Sequence, residues 1–155
     1  MDWDVHHGNG TQHILEKDPT IFYASFHQDP ASCYPGTGWV TEEGIDKGQG
    51  YTLNLPMPPG AGNNEYLEAL YKVEQKMDKF KPQFVLISAG FDAHIADPLA
   101  HIKLTRTGYE ELTRRIMSIA QNYAQNRLVS VLEGGYNLKA LGESVQAHIE
   151  VLMEG

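Results

Sequence analysis

Two stretches decide how this chain folds: FVLISAGFDAH at residues 84–94 and LVSVLEGGYN at residues 128–137. Each opens on a short apolar run and ends in a polar motif that carries glycine. Continuous apolar runs of strand length mark strands buried on both faces. Working outward, TIFYASF at 20–26 is rich in β-branched and aromatic residues, lies between Pro19 and Pro30, and reads as a third strand that leads into HQD. Residues 2–6 read as a strand entering a loop, and YTLNLPM at 51–57 as another strand before the turn PPGAG.

Helical patterns alternate with these runs. Residues 9–17 read as a short helix with Ile14 and Leu15 as its apolar side. Asn64 is expected to cap a helix reaching Phe80, with Leu67, Leu70, Tyr71, Val73 and Met77 at helical spacing. A further helix is predicted from Thr105 to about Asn126, with Leu112, Ile116, Ile119 and Ala120 on one face, and a last one from Leu138 to Met153. Residues 28–50 hold five glycines and two prolines and read as a long loop of the functional kind. Strands alternating with helices predict an α/β domain with a mainly parallel sheet. No repeat, low-complexity tract or linker divides residues 1–155, so a single domain is expected.

Composition narrows the function. Hydrophobic residues make up 41% and charged residues 21%, as in a globular protein rather than a disordered one. The net charge of −8 argues against a nucleic-acid partner, which needs a basic face, and suits a cationic or neutral substrate. No membrane span or signal peptide is expected. The single cysteine, Cys33, permits no internal disulfide and fits a reducing, cytoplasmic setting.

Ligands of parallel α/β domains sit beyond the carboxyl ends of the strands. DVHHG, SFHQD, SAGFDAH and LEGGYN all fall there. Alternation along a strand places Asp2, Asp4 and His6 on one side. Carboxylate and imidazole both ligate zinc-like cations, and a catalytic zinc typically takes three protein ligands and keeps one open position. Asp4 and His6 supply two, and Asp92 is the best placed third. A solvated loop of hydrogen-bonded Asp and His is the ordinary alternative. The density of Asp-x-Asp-x-His-His-Gly at a strand end favours metal.

DWDVHHGNGTQ at 2–12, SAGFDAH with the downstream DPL, and LEGGYN, in that order, resemble the zinc-dependent histone deacetylase superfamily. That superfamily includes acetylpolyamine amidohydrolases and bacterial deacetylase-like amidohydrolases. The variants at Trp3, Asn9 and Glu133 are similar to its class II and bacterial branches. The resemblance implies a three-layer arginase/deacetylase-like α/β fold. It implies Zn2+ held by Asp4, His6 and Asp92, with Tyr136 donating its hydroxyl to the substrate carbonyl. Asp2 matches an aspartate that orients a catalytic histidine. Asp2, Asp4, the backbone of His6, Ser25 and Phe26 match a structural monovalent-cation site, usually K+. Tyr34 and Leu99 match channel walls around an acyl-lysine stem, and Gly134 and Gly135 let the chain turn Tyr136 inward.

Taken by itself, Tyr136 reads as a packed tyrosine and Gly134-Gly135 as a plain turn. Tyr34 and Leu99 read equally as ordinary apolar contacts. His7, His13, His27, His94, His101 and His148 are expected to be structural or surface residues. The family carries a further His-His pair upstream of the metal motif, acting as general base and acid. Here the only such pair is His6-His7, so the chain is expected to be the C-terminal half of a longer catalytic domain. Ala100 and His101 follow DPL where bacterial relatives often carry Gly-Gly, which bears on the lip of the site and on substrate preference. Three functions follow: a hydrolase acting on acetylated lysine or an acetylated amine such as a polyamine; a fragment that keeps fold and metal but is impaired in catalysis; and a binding module, which leaves Tyr136 without a task. A partial sheet also predicts an uncovered apolar face and self-association through it.

Overall fold

A computed structural model describes all residues, 1–155. The elements are α1 (Asn9–Leu15), β1 (Tyr23–Gln28), β2 (Thr52–Met57), α2 (Asn63–Phe80), β3 (Val85–Ala89), α3 (Arg106–Ala124), β4 (Leu128–Leu132) and α4 (Leu138–Leu152), with a short 3-10 turn at Asp46–Gly48. β1 pairs in parallel with β2, and β3 with β4. Between the two pairs runs the first segment of the chain. Asp2 N–H donates to Ala24 O (2.8 Å) and Phe26 N–H to Asp2 O (2.8 Å) on one side. Trp3 N–H donates to Ser88 O (3.1 Å) and Ser88 N–H to Met1 O (2.9 Å) on the other. The order β2–β1–segment 1–3–β3–β4 is therefore one parallel sheet, and every strand ends on the same rim.

Residues 2–6 read as a strand entering a loop, and the sheet bridges are confined to Asp2. After Trp3, whose N–H still pairs with β3, the next three N–H groups are taken by carboxylates: Asp4 N–H by Asp2 Oδ1 (3.2 Å), Val5 N–H by Asp92 Oδ1 (2.8 Å) and His6 N–H by Asp4 Oδ1 (2.8 Å). Side chains have taken the donors a strand would need, so the chain leaves the sheet at the point where the polar motif begins. β1 starts at Tyr23 rather than Thr20 for a similar reason, since Asp18 Oδ1 accepts from Thr20 N–H (2.8 Å) and Oγ1 (2.6 Å). α2 is capped at Gly62, not Asn64. Glu65 Oε2 accepts from Gly62 N–H (2.8 Å), and Asn64 lies inside the helix.

Helices α2, α3 and α4 cover one side of the sheet. Trp3, Phe26, Tyr66, Leu70, Ile87, Phe91, Tyr109 and Ile116 belong to one continuous buried cluster there. On the other side, α1 and the 29–50 loop lie over β1 and β2. Asn54 Nδ2 of β2 donates to Gln12 Oε1 of α1 (2.7 Å), and every residue of β1 is buried. This second layer does not extend over β4. The sequence predicts β3 and β4 as strands buried on both faces, and the structure corrects that. Ser130 faces α4 and contacts His148 Nε2 (2.8 Å), whereas Val129, Val131 and Leu86 are 45%, 53% and 60% exposed. The parallel register puts Leu86 and Val129 side by side on that open face. Tyr71, expected on the inner stripe of α2, is also exposed, while Leu70 beside it is buried.

The two faces should respond differently to substitution. Ile116→Ala, inside the cluster, should cost about 2–5 kcal/mol. Val131→Thr, on the open face, should change stability by no more than roughly 0.5 kcal/mol. Urea unfolding measures both, and equal losses would contradict the assignment of faces.

Candidate metal centre

The strand ends bring Asp4, His6 and Asp92 together. His6 Nδ1 lies 3.1 Å from Asp4 Oδ1 and 3.2 Å from Asp92 Oδ2. One donor atom from each residue falls within 4.8 Å of the others. Asp92 is fully buried, and its remaining oxygen takes Val5 N–H. Asp4 Oδ2 takes Gly134 N–H at 2.9 Å. Neither carboxylate makes an ion pair with lysine or arginine; His6 is the counter-charge of both.

That imbalance is visible in the proton affinities. Hydrogen bonds to Asp4 and then Asp92 raise the His6 imidazole to about 10, against the effect of its partial burial. Burial raises Asp92, with the nearby Asp4 charge adding to it. Burial would also raise Asp4, but hydrogen bonds from the His6 ring and from the N–H groups of His6 and Gly134 outweigh it and leave Asp4 lowered. A proton on Nδ1 thus holds together two carboxylates that would otherwise repel. A divalent cation satisfies the same three donors, and their chemistry fits zinc.

Glycine is required here by proximity. A Cβ on Gly134 would lie 2.2 Å from Asp92 Oδ2 and 2.6 Å from Asp4 Oδ2. Gly135 has φ +149°, a backbone state suited to glycine. Above the three donors opens a cleft of about 550 Å³. Asp2, Tyr34, Leu99, Gly134, Gly135 and Tyr136, all named from the sequence, line it together with His7, Gly8 and Glu133. Ser25 and Phe26 lie outside the cleft on β1, joined to Asp2 by the strand-like pairing described above.

Comparison with known proteins identifies the family. Residues 1–152 match the histone deacetylase domain. The chain belongs to the histone deacetylase family. It is 46% identical over 140 residues to a probable deacetylase of Archaeoglobus fulgidus, covering 90% of this chain and 38% of that protein. It is 39% identical over 139 residues to a histone deacetylase-like amidohydrolase of Pseudomonas aeruginosa, covering 88% of this chain and 36% of that protein. Among solved structures, the HD domain of HDA15 superposes with a TM-score of 0.92 at 40% identity, over 99% of this chain and 43% of that one. Acetylpolyamine aminohydrolase from Burkholderia pseudomallei superposes with a TM-score of 0.88 at 31% identity, over 97% and 43%. The chain therefore spans well under half the length of these relatives. Its α/β architecture with parallel strands is that of the deacetylase fold.

Two buried groups adjoin the cluster in this deacetylase-family chain: Asp2, expected from the sequence as an orienting aspartate, and the His7–His27 pair, whose contacts had no sequence signal. Beneath the metal cluster, Asp2 is buried and accepts from the Tyr23 hydroxyl at Oδ2 (3.0 Å). Burial pushes its carboxyl up to about 7 although the Tyr23 hydrogen bond pulls the other way. Beside the cluster, His7 and His27 are buried with their rings 4.7 Å apart. Gln12 Nε2 donates to Glu42 Oε2 (2.6 Å), so its Oε1 accepts both from Asn54 Nδ2 (2.7 Å) and from His7 Nε2 (2.9 Å). His7 Nδ1 then accepts from the Thr37 hydroxyl (2.8 Å). His27 donates from Nε2 to Gly38 O (2.9 Å), and burial lowers it to about 4. The network holds the 37–42 loop behind Tyr34. His148 is likewise buried between Thr113 and Ser130, while His13 and His101 are exposed; none of these lines the cleft.

Metal uptake should compete with the His6 proton. Since His6 titrates near 10, Zn2+ affinity should fall about tenfold for each unit of pH lowered between roughly pH 8 and pH 6, with one proton released per ion. Asp92→Ala should weaken binding by at least about 100-fold. Calorimetric titration in two buffers of different ionisation enthalpy reads both, and a pH-independent affinity would contradict the site.

Proposed function

We propose that this chain carries the zinc site, the oxyanion donor and two channel walls of an amidohydrolase that removes acetyl groups from acetylated lysine or a similar amine. The observation that carries the reading is the meeting of Asp4, His6 and Asp92 at the foot of one cleft also lined by Tyr34, Leu99 and Tyr136. Zinc held by the three donors would polarise the amide carbonyl and activate a water.

The chain's own residues do the rest. Asp4 and Asp92 already converge on His6 Nδ1 before metal binds, so the three donor atoms are preplaced around one point. Burial, then the charges of Asp92 and Asp4, raise the Tyr136 phenol. It therefore stays protonated at neutral pH and can donate its hydrogen as negative charge develops on the carbonyl oxygen. Tyr34, whose ring centroid lies 6.5 Å from that of His6, and Leu99 offer apolar walls to an alkyl stem. The net charge of −8 favours a substrate whose body is cationic and disfavours nucleic acid. A structural K+ beside Asp2, Asp4, His6, Ser25 and Phe26 is part of the proposal, supported by the backbone pairing that joins Asp2 to β1. The unpaired Cys33 supports a reducing, cytoplasmic location. The open face of Leu86, Val129 and Val131 supports self-association. No helix is long and apolar enough to cross a membrane.

A second reading rests on His7. The cleft is lined by His6 and His7, and both nitrogens of His7 are already hydrogen-bonded. Neither imidazole is free to act as general base, and the want of one typically costs about 10²–10⁴-fold. On that reading the chain keeps fold and metal but turns over weakly.

Acetate release from an acetyl-lysine peptide and from acetylputrescine, measured with the zinc-loaded chain, separates the two. The first reading expects turnover that Tyr136→Phe lowers by about 10²–10³-fold. The second expects zinc binding with turnover close to the metal-only blank and little changed by Tyr136→Phe. A chain that binds no zinc contradicts both.

A further inference from the structure

Asp97 lies in the turn between β3 and α3 and does not line the cleft. It is 7% exposed and makes no ion pair within 4.0 Å. Its carboxylate accepts backbone N–H groups from two separate walls of the cleft. Oδ1 takes Leu99 N–H at 3.0 Å. Oδ2 takes Tyr136 N–H at 2.8 Å and Asn137 N–H at 3.3 Å, from a segment 39 residues further along the chain. Asn137 returns the contact: its Nδ2 donates to Ala96 O (2.9 Å), while its Oδ1 caps α4 at Ala140 N–H (3.1 Å).

The segment so held is one that little else restrains. After β4, Glu133 N–H still donates to Ala89 O (3.0 Å), and from Gly135 to Asn137 the chain has no regular backbone pairing before α4 begins. Its near end is tied by Gly134, whose N–H goes to Asp4 and whose carbonyl accepts Phe91 N–H (2.7 Å). Glycine then frees the backbone at Gly135. Tyr136 follows with its side chain half exposed, so its backbone sets where the phenol points.

We propose that Asp97 is the positioning residue of this cleft: one carboxylate fixes the Tyr136 backbone and the Leu99 turn against each other, and thereby sets both the reach of the phenol and the width of the channel. The functional half of this inference rests on the reading of Tyr136 as oxyanion donor. The structural half stands on the three hydrogen bonds.

The two halves separate in a set of variants of the full, zinc-loaded chain. Asp97→Ala removes both acceptors. Asp97→Asn keeps one oxygen, which should face the two donors Tyr136 and Asn137 and turn the amide nitrogen toward Leu99 N–H. Amide hydrogen exchange by NMR should then show Leu99, Tyr136 and Asn137 exchanging at least roughly tenfold faster in Asp97→Ala, and Leu99 alone in Asp97→Asn. Gly134 and Val5, tied to Asp4 and Asp92, should keep wild-type rates, and Zn2+ affinity should hold within about threefold. With an acetyl-lysine peptide, Asp97→Ala should lower kcat by about 10²-fold, because misplacing a reacting group by about an ångström costs that much. Asp97→Asn should raise KM while kcat stays near wild type. Unchanged exchange at Tyr136 in Asp97→Ala would overturn the proposal. So would loss of protection spread equally over Gly134 and Val5, which would mark a merely structural residue. If Asp97→Ala does not fold, the contrast between Leu99 and Tyr136 in Asp97→Asn decides. A wild-type chain without turnover counts against the amidohydrolase reading alone, and the exchange rates still decide the role of Asp97.

Discussion

Two carboxylates, Asp4 and Asp92, face a single imidazole nitrogen at the rim of a parallel sheet, and much of the local structure follows from that pairing. Buried like charges repel, and each desolvated carboxylate needs donors. The chain supplies them from its backbone: Val5 and His6 N–H from the first segment, Gly134 N–H from the turn after β4. Giving up those donors is what ends the first strand after Trp3. Accommodating the two carboxylates side by side is what demands glycine at 134, where any side chain would strike them. Fold and site are thus not independent. The parallel sheet delivers strand ends to one rim, and the charge held there dictates how each strand leaves the sheet.

The order of elements and the residues that meet at the rim were legible in the sequence. Apolar runs gave β3 and β4, helical spacing gave α2, α3 and α4, and the placement of polar motifs after strands marked the rim. The departures each have a local physical reason. The two-sided burial expected of β3 and β4 failed because apolar composition records what a strand can bury, not what lies over it. The early start expected for β1 failed because Asp18 draws Thr20 into a local turn. The cap at Gly62 was hidden because glycine has no side chain to announce it; the acceptor is Glu65, three residues on.

The unread residues are those whose partners lie far away in the chain. Asp97 stands in a motif that was noticed, but the N–H groups it grips are at 136 and 137. His7 was expected to be structural or surface, and its ring does belong to a buried network with Gln12, Thr37, Glu42 and Asn54 that ties down the 37–42 loop. Neither arrangement has a local sequence signal. Both serve the same purpose, which is to hold the walls of the cleft by hydrogen bonds to backbone or to buried polar groups while the tips of Tyr34, Leu99 and Tyr136 stay exposed. The rim is rigid where it is anchored and open where a substrate would lie.

The central claim is that Asp4, His6 and Asp92 hold one zinc ion between them. X-ray absorption at the zinc edge tests it most directly on the chain loaded with one equivalent of metal. The account predicts a single zinc bound by one imidazole nitrogen and otherwise by oxygen, with the nitrogen lost in His6→Ala. A sulfur neighbour from Cys33, or a zinc ringed by water with no imidazole, would contradict it.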